Sequence, residues 1–199
     1  MSKSYSIFSP KYEITSGGVR VMFGLYGWLM AKGQIAFINQ YIPNSKHIAI
    51  LPEIYPKDTS GASKVVRYIL QKPGTVSAID DKGNATLGPV EFEDEDVYAF
   101  SRMYYDGLPD EKYLFLPILD TFTFKDKGKV RTKTAYMVGK GINTQRHPKD
   151  AIEITREMAQ DQTALADLLN ECQVLYQYDP VSAISEISRL CGCPVILNQ

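Results

Sequence analysis

The chain has 199 residues, with 22 basic and 23 acidic side chains, a net charge of -1 and the apolar fraction of an ordinary globular protein. Charge spread so evenly leaves no electrostatic footprint for nucleic acid, and no apolar stretch is long enough for a membrane-spanning helix. Met1 to Pro10 lacks the apolar core of a secretory leader, and Cys172, Cys191 and Cys193 form an odd set without a metal-type pair, so reduced thiols in a cytoplasmic protein are expected.

Residues 6 to 8 read as a short first strand, followed by a Gly-rich turn at Thr15-Ser16-Gly17-Gly18. Met22, Leu25, Tyr26, Leu29 and Met30 then recur at helical spacing, and Gly33 stands where a helix C-cap is expected. Ile35 to Ile38 and His47 to Leu51 are the next strands, the second closed by Pro52. Gly61 to Gln71 reads as a helix with Val65, Val66, Ile69 and Leu70 apolar, ended by Lys72-Pro73-Gly74. This alternation points to βαβ units and a parallel sheet.

The middle is less regular. Asp80 to Pro89 is rich in turn residues, Glu91 to Asp96 is acidic and expected to face solvent, and Val97 to Ser101 and Tyr113 to Leu116 read as strands. Asp120 to Lys133 is polar and charged and reads as the linker between domains or as an exposed hairpin. The pattern then restarts. Ala135 to Val138 is a strand running into Gly139-Lys140-Gly141, and Ala151 to Thr155 is a second strand. Thr163 to Glu171 is a helix, Val174 to Tyr176 a strand, Ser182 to Leu190 a helix and Pro194 to Leu197 a last strand.

Three segments together resemble the nucleotide-sugar glycosyltransferases of the two-domain GT-B type. Ser16-Gly17-Gly18-Val19-Arg20 opens an amphipathic helix that ends at Lys32-Gly33, as at the start of many members. Tyr136-Met137-Val138-Gly139-Lys140-Gly141 resembles the first strand and loop of their C-terminal domain. Val174 to Asp179, then a helix, then Leu190-Cys191-Gly192-Cys193-Pro194-Val195-Ile196 resembles their donor-site helix and the turn that leads out of it. Leu51-Pro52-Glu53-Ile54 also fits a bacterial branch of the family.

The resemblance implies an α/β protein of two Rossmann-like domains, an acceptor-side domain over 1–125 and a short donor domain over 126–199. It implies transfer of a glycosyl group from a nucleotide sugar to a saccharide or other acceptor, as in polysaccharide biosynthesis. Gly139, Lys140, Gly141, Arg146, Asp179, Ser182 and Glu186 would hold the donor. Gly17 and Gly18, also counted as donor contacts, would lie beside the acceptor with Glu53 as catalytic residue.

The chemistry suits these residue types. Backbone N–H groups at glycine turns bind phosphate oxygens, and a nearby Lys or Arg neutralises charge on a leaving diphosphate. With only His47 and His147, far apart in sequence, and no Asp-x-Asp motif, neither a metal nor another cofactor is expected.

One position departs from the family pattern. Members similar to this chain often carry Glu eight residues after the Asp179 position, where this chain has Ile187, with Glu186 beside it. Asp179-Pro180 also reads as a plain helix cap, Ile184, Ile187 and Cys191 as core, and Lys140 and Arg146 as solvated loop charge. A non-catalytic relative that keeps the fold as an accessory or assembly module is therefore the alternative. The end at Gln199, just after the last strand, suggests a short or truncated member, and the sheet edges of so small a second domain suggest self-association.

Overall fold

A computed structural model describes residues 3–40, 46–56, 61–75, 77–79, 85–92, 94–179 and 182–198. The chain divides into two compact units, Met1–Ile118 and Leu119–Gln199, a boundary that falls ahead of the expected 125/126.

In the first unit, β1 (Ser4–Ile7), α1 (Gly17–Ala31), β2 (Ile35–Ile38), β3 (His47–Pro52), β4 (Lys64–Ile69) and β7 (Asp96–Ala99) build a parallel sheet in the order β2-β1-β3-β4-β7. A separate antiparallel pair joins β5 (Ser77–Ile79) to β6 (Ala85–Leu87); β6 lies in the stretch Asp80 to Pro89 expected to be rich in turns, whose residues 80–84 fall outside the described residues. α1 starts at Ser16, whose hydroxyl accepts the N–H of Val19 at 3.5 Å. It stops at Gly33, which takes φ +71° while its N–H and that of Gln34 reach back to the carbonyls of Met30 and Leu29. Val21, Met22, Leu25 and Leu29 form its apolar stripe and pack on Ile7, Ala36, Ile50 and Tyr68. Each such buried side chain contributes roughly 1.5–3 kcal/mol.

Three expectations are corrected here. Gly61 to Gln71 is not a helix: its core is β4, paired in register with β3 from Ile48↔Lys64 to Pro52↔Tyr68. Tyr113 to Leu116 forms no strand and makes a single bridge, Ala99↔Tyr113. Glu91 to Asp96 does not simply face water, because Glu95 is buried against Arg67.

In the second unit, β8 (Lys133–Met137), β9 (Ile152–Glu153), α2 (Gln162–Glu171), β10 (Cys172–Gln177), α3 (Ile184–Leu190) and β11 (Val195–Leu197) make a second parallel sheet, ordered β11-β10-β8-β9. Leu165, Leu169, Ile184 and Ile187 pack from the helices onto Ala135 and Leu175. Asp120 to Lys133 is no linker, since Phe124 is fully buried in this core. Its cations pair with α2: Lys127 and Lys129 with Asp167 at 2.8 and 3.1 Å, and Lys133 with Glu171 at 2.6 Å. Arg131 donates to the carbonyls of Leu169, Cys172 and Cys191 at 3.2, 3.3 and 2.7 Å. Gly192 takes φ +72°, a conformation that favours the glycine of the Cys-Gly-Cys turn, and a Cβ there would have to displace the side-chain ends of Arg131 and Asp126.

The two sheets share one Rossmann-like order. Counted within each unit, the strands run 2-1-3-4, with a fifth added in the first. Strand order therefore reverses between β1 and β3 in one unit and between β8 and β10 in the other. Among the described residues, no helix is long and apolar enough to cross a membrane.

Candidate functional site

In open parallel α/β sheets, ligands bind outside the carboxyl ends of the strands where strand order reverses. Both units place sequence-predicted residues at that point.

In the second unit, β8 and β10 run parallel from Lys133↔Cys172 to Met137↔Gln177, so their following loops leave side by side. Gly139, Lys140 and Gly141 follow β8, and Tyr178 and Asp179 follow β10. The buried Asp179 carboxylate accepts the N–H of Lys140 at 3.1 Å, bridging the two strand ends. Gly139 takes φ +57°, and a Cβ there would come within 2.9 Å of Asp179. A Cβ at Gly141 would run into the carbonyl oxygen of Tyr178. These glycines are demanded by the packing of the loop itself. The side chains of Lys140 and Arg146 are exposed, so both cations stay hydrated.

Further residues brace this edge. Gln177, fully buried, donates its amide to the carbonyl of Asp179 and accepts from the hydroxyl of Ser185. The N–H of Ser182 donates to the Asp179 carbonyl at 3.3 Å. The N-cap position of α3 is Ala183, without a side-chain bond. Glu186 lies exposed in the first turn of α3, whereas Ile187 is buried in the core.

The sequence reading missed two residues here. The hydroxyl of Tyr178 accepts the N–H of Arg146 at 2.9 Å and pairs with Nδ1 of His147 at 2.8 Å. The His147 ring stacks on Tyr136 with centroids 3.7 Å apart. Tyr178 sits directly before Asp179, so its place beside the site was legible, but its partners 31 and 32 residues upstream were not.

In the first unit, Gly17 and Gly18 open α1, and Glu53 follows β3. A Cβ at Gly17 would meet nothing within 4 Å, and one at Gly18 would touch Leu70 at an ordinary 3.7 Å. Packing among the described residues therefore demands neither glycine. Glu53 is buried, and its Oε2 accepts the N–H of Leu70 at 2.8 Å. Burial pushes its carboxyl above the ordinary value of 4.5, against the pull of backbone donors and of Arg67. Gly18, Glu53 and Leu70 thus meet at the carboxyl edge.

Beneath them Arg67 is fully buried. It makes a two-point pair with Glu95 at 2.6 and 2.8 Å and donates to the carbonyls of Pro52 and Tyr55 at 2.8 and 2.7 Å. This holds the segment that carries Glu53.

Cys191 and Cys193 are buried in the core. Burial pushes the Cys191 thiol up, and the adjoining Cys172 together with burial does the same to Cys193, so both stay protonated. Among the described residues, no group of three or more His, Cys, Asp or Glu side chains is placed to hold a metal ion.

Compared with protein-family models, with curated proteins and with solved structures, the chain finds no match.

Proposed function

We propose that this chain is a GT-B type glycosyltransferase that binds the diphosphate of a nucleotide sugar on its second unit and transfers the sugar to a saccharide or other acceptor. The observation that carries the reading is the rigid loop at the β8/β10 reversal. Its backbone is locked by the Asp179 carboxylate and by the tight approach of Gly141 to Tyr178, while Lys140 and Arg146 extend into solvent. Two exposed cations carried on a braced loop suit an anion whose charge grows as the sugar leaves. The resemblance of 136–141 and 174–196 to the donor domain of that family adds to it.

In this reaction the bond from the sugar's anomeric carbon to the diphosphate oxygen breaks, and a bond to an acceptor oxygen forms. Lys140 and Arg146 neutralise the departing diphosphate, so the reading calls for no metal. Glu53 is the proposed acceptor-side base, taking the hydroxyl proton. Burial raises its basicity, which suits a proton acceptor.

Calorimetry with UDP and GDP tests this. Wild-type protein should bind one of them. Lys140→Ala should bind about ten- to a hundredfold more weakly, the worth of one charged hydrogen bond of roughly 1.5–3 kcal/mol. Unchanged affinity would make Lys140 an ordinary solvated residue.

A second reading has its own observation. Ile187 is buried, and Glu186, one residue earlier on α3, is turned about 100° away from it and is exposed. A donor ribose then lacks its acidic partner, as in a non-catalytic module that keeps the fold. Wild-type protein that binds no nucleoside diphosphate would make this the leading reading.

A further inference from the structure

We infer that Tyr178 is a positioning residue for the second unit's cationic loop, fixing Lys140 and Arg146 so that both act on one diphosphate. The inference rests on the donor-site reading above.

The loop from Val138 to His147 has two feet, and Tyr178 grips both. At the near foot, Gly141 packs so closely on the Tyr178 carbonyl that no side chain fits, and the neighbouring Asp179 holds the N–H of Lys140. At the far foot, the Tyr178 hydroxyl accepts the N–H of Arg146 and engages Nδ1 of His147. His147 is held from its other face by the stack on Tyr136, whose hydroxyl donates to Glu153 at 3.0 Å. Between the feet, residues 142–145 are exposed, with Ile142 at 81%. Lys140 stands on one foot and Arg146 on the other.

A tyrosine hydroxyl has one hydrogen and two acceptor sites. Arg146 takes one acceptor site, and His147 takes the hydrogen or the second acceptor site according to its tautomer. Removing the hydroxyl therefore takes the partner from Arg146 N–H and His147 Nδ1 together, while the Tyr178 ring stays packed. The near foot, held by backbone and by Asp179, is left as it was. The change uncouples the two cations without emptying the core.

The experiment is titration of wild type, Tyr178→Phe, Arg146→Ala and the double variant with UDP, GDP and inorganic pyrophosphate. Tyr178→Phe should lower affinity about three- to tenfold, the effect of one ordinary hydrogen bond. In the Arg146→Ala background the same change should have no further effect. The NMR shift of the Arg146 amide should move in Tyr178→Phe while the melting midpoint stays close to wild type.

His147→Ala removes the hydroxyl's other partner and gives a second route to the far foot, with a smaller loss of the same kind expected. Equal affinities for Tyr178→Phe, His147→Ala and wild type overturn the inference, as does a Tyr178→Phe loss that persists undiminished without Arg146. Wild-type protein that binds none of the three probes overturns the donor-site reading and this inference with it, which the first titration shows before any variant is made.

Discussion

The two units repeat one strand order and place a buried carboxylate just after the third strand of each, yet the two carboxylates reach in opposite directions. Glu53, after β3, bonds outward to Leu70 at the end of β4. Asp179, after β10, bonds across the reversal to Lys140 after β8. In the first unit, Gly17 and Gly18 at the start of α1 make no close approach that a Cβ would block among the described residues. In the second, Gly139 and Gly141 pack tightly against Tyr178 and Asp179, and Lys140 and Arg146 are exposed. Topology therefore points to where a site lies, and the direction of one buried hydrogen bond decides which neighbouring segment the carboxylate braces.

The largest expected effect concerns what lies beneath each site. The first unit anchors its edge on a buried guanidinium, whereas the ion pairs of the second lie half-exposed around α2. Glu95→Ala leaves Arg67 charged and unpaired in the interior and should cost about 3–5 kcal/mol in urea unfolding. Replacing both partners, as Arg67→Met with Glu95→Leu, should recover most of it. Glu171→Ala in the second unit, which breaks half-exposed pairs with Lys129 and Lys133, should move the midpoint far less. Similar losses at the two positions would erase the contrast.

Glu53 gives the next effect. Glu53→Ala strands the Leu70 N–H and should cost roughly 1–3 kcal/mol, whereas Glu53→Gln keeps an acceptor and should cost less. Burial raises the folded pKa above the ordinary 4.5, so the folded state binds this proton more tightly than the unfolded state. The stabilisation is full below pH 4.5 and is lost as pH rises through the folded pKa. Unfolding measured as a function of pH should show this decline in wild type, and Glu53→Gln should remove its share. An identical decline in the variant would assign it to other groups.

The smallest effects compare glycines. Gly141→Ala collides with the Tyr178 carbonyl and should cost about 1–3 kcal/mol, while Gly17→Ala enters open space and should stay within about 0.5 kcal/mol. Equal thermal shifts for the two would mean that the glycines of the two edges play the same part.

Much of the fold was legible because local patterns carried it. The α1 stripe with its Gly33 stop, the strands around Ile35, His47 and Ala135, and the restart of the pattern all read correctly. β4 did not, because Val65, Val66, Ile69 and Leu70 fit a helical stripe as well as a strand, and Arg67 in their midst hides a buried run. Arg67 is tolerated there only because Glu95 meets it from 28 residues away, a pairing that no local pattern reveals. The stretch from Asp120 to Lys133 misled for the same reason, since its cations answer acids on α2. At the candidate sites, the glycines and Lys140 stood out by residue type. The bracing by Gln177, Tyr178 and His147 depends on strand register and stayed hidden.

Arg131 ties the end of α2, the start of β10 and the end of α3 through three carbonyls at the amino rim of the second sheet. Three helix and strand ends that share one anchor should not fray one at a time. A fluctuation that withdraws the guanidinium frees all three, so α3 and β11 should open with the last turn of α2 as a single cooperative foldon. In native-state hydrogen exchange, the amides of these segments should converge on one opening free energy, and Arg131→Met should lower that energy for all of them together.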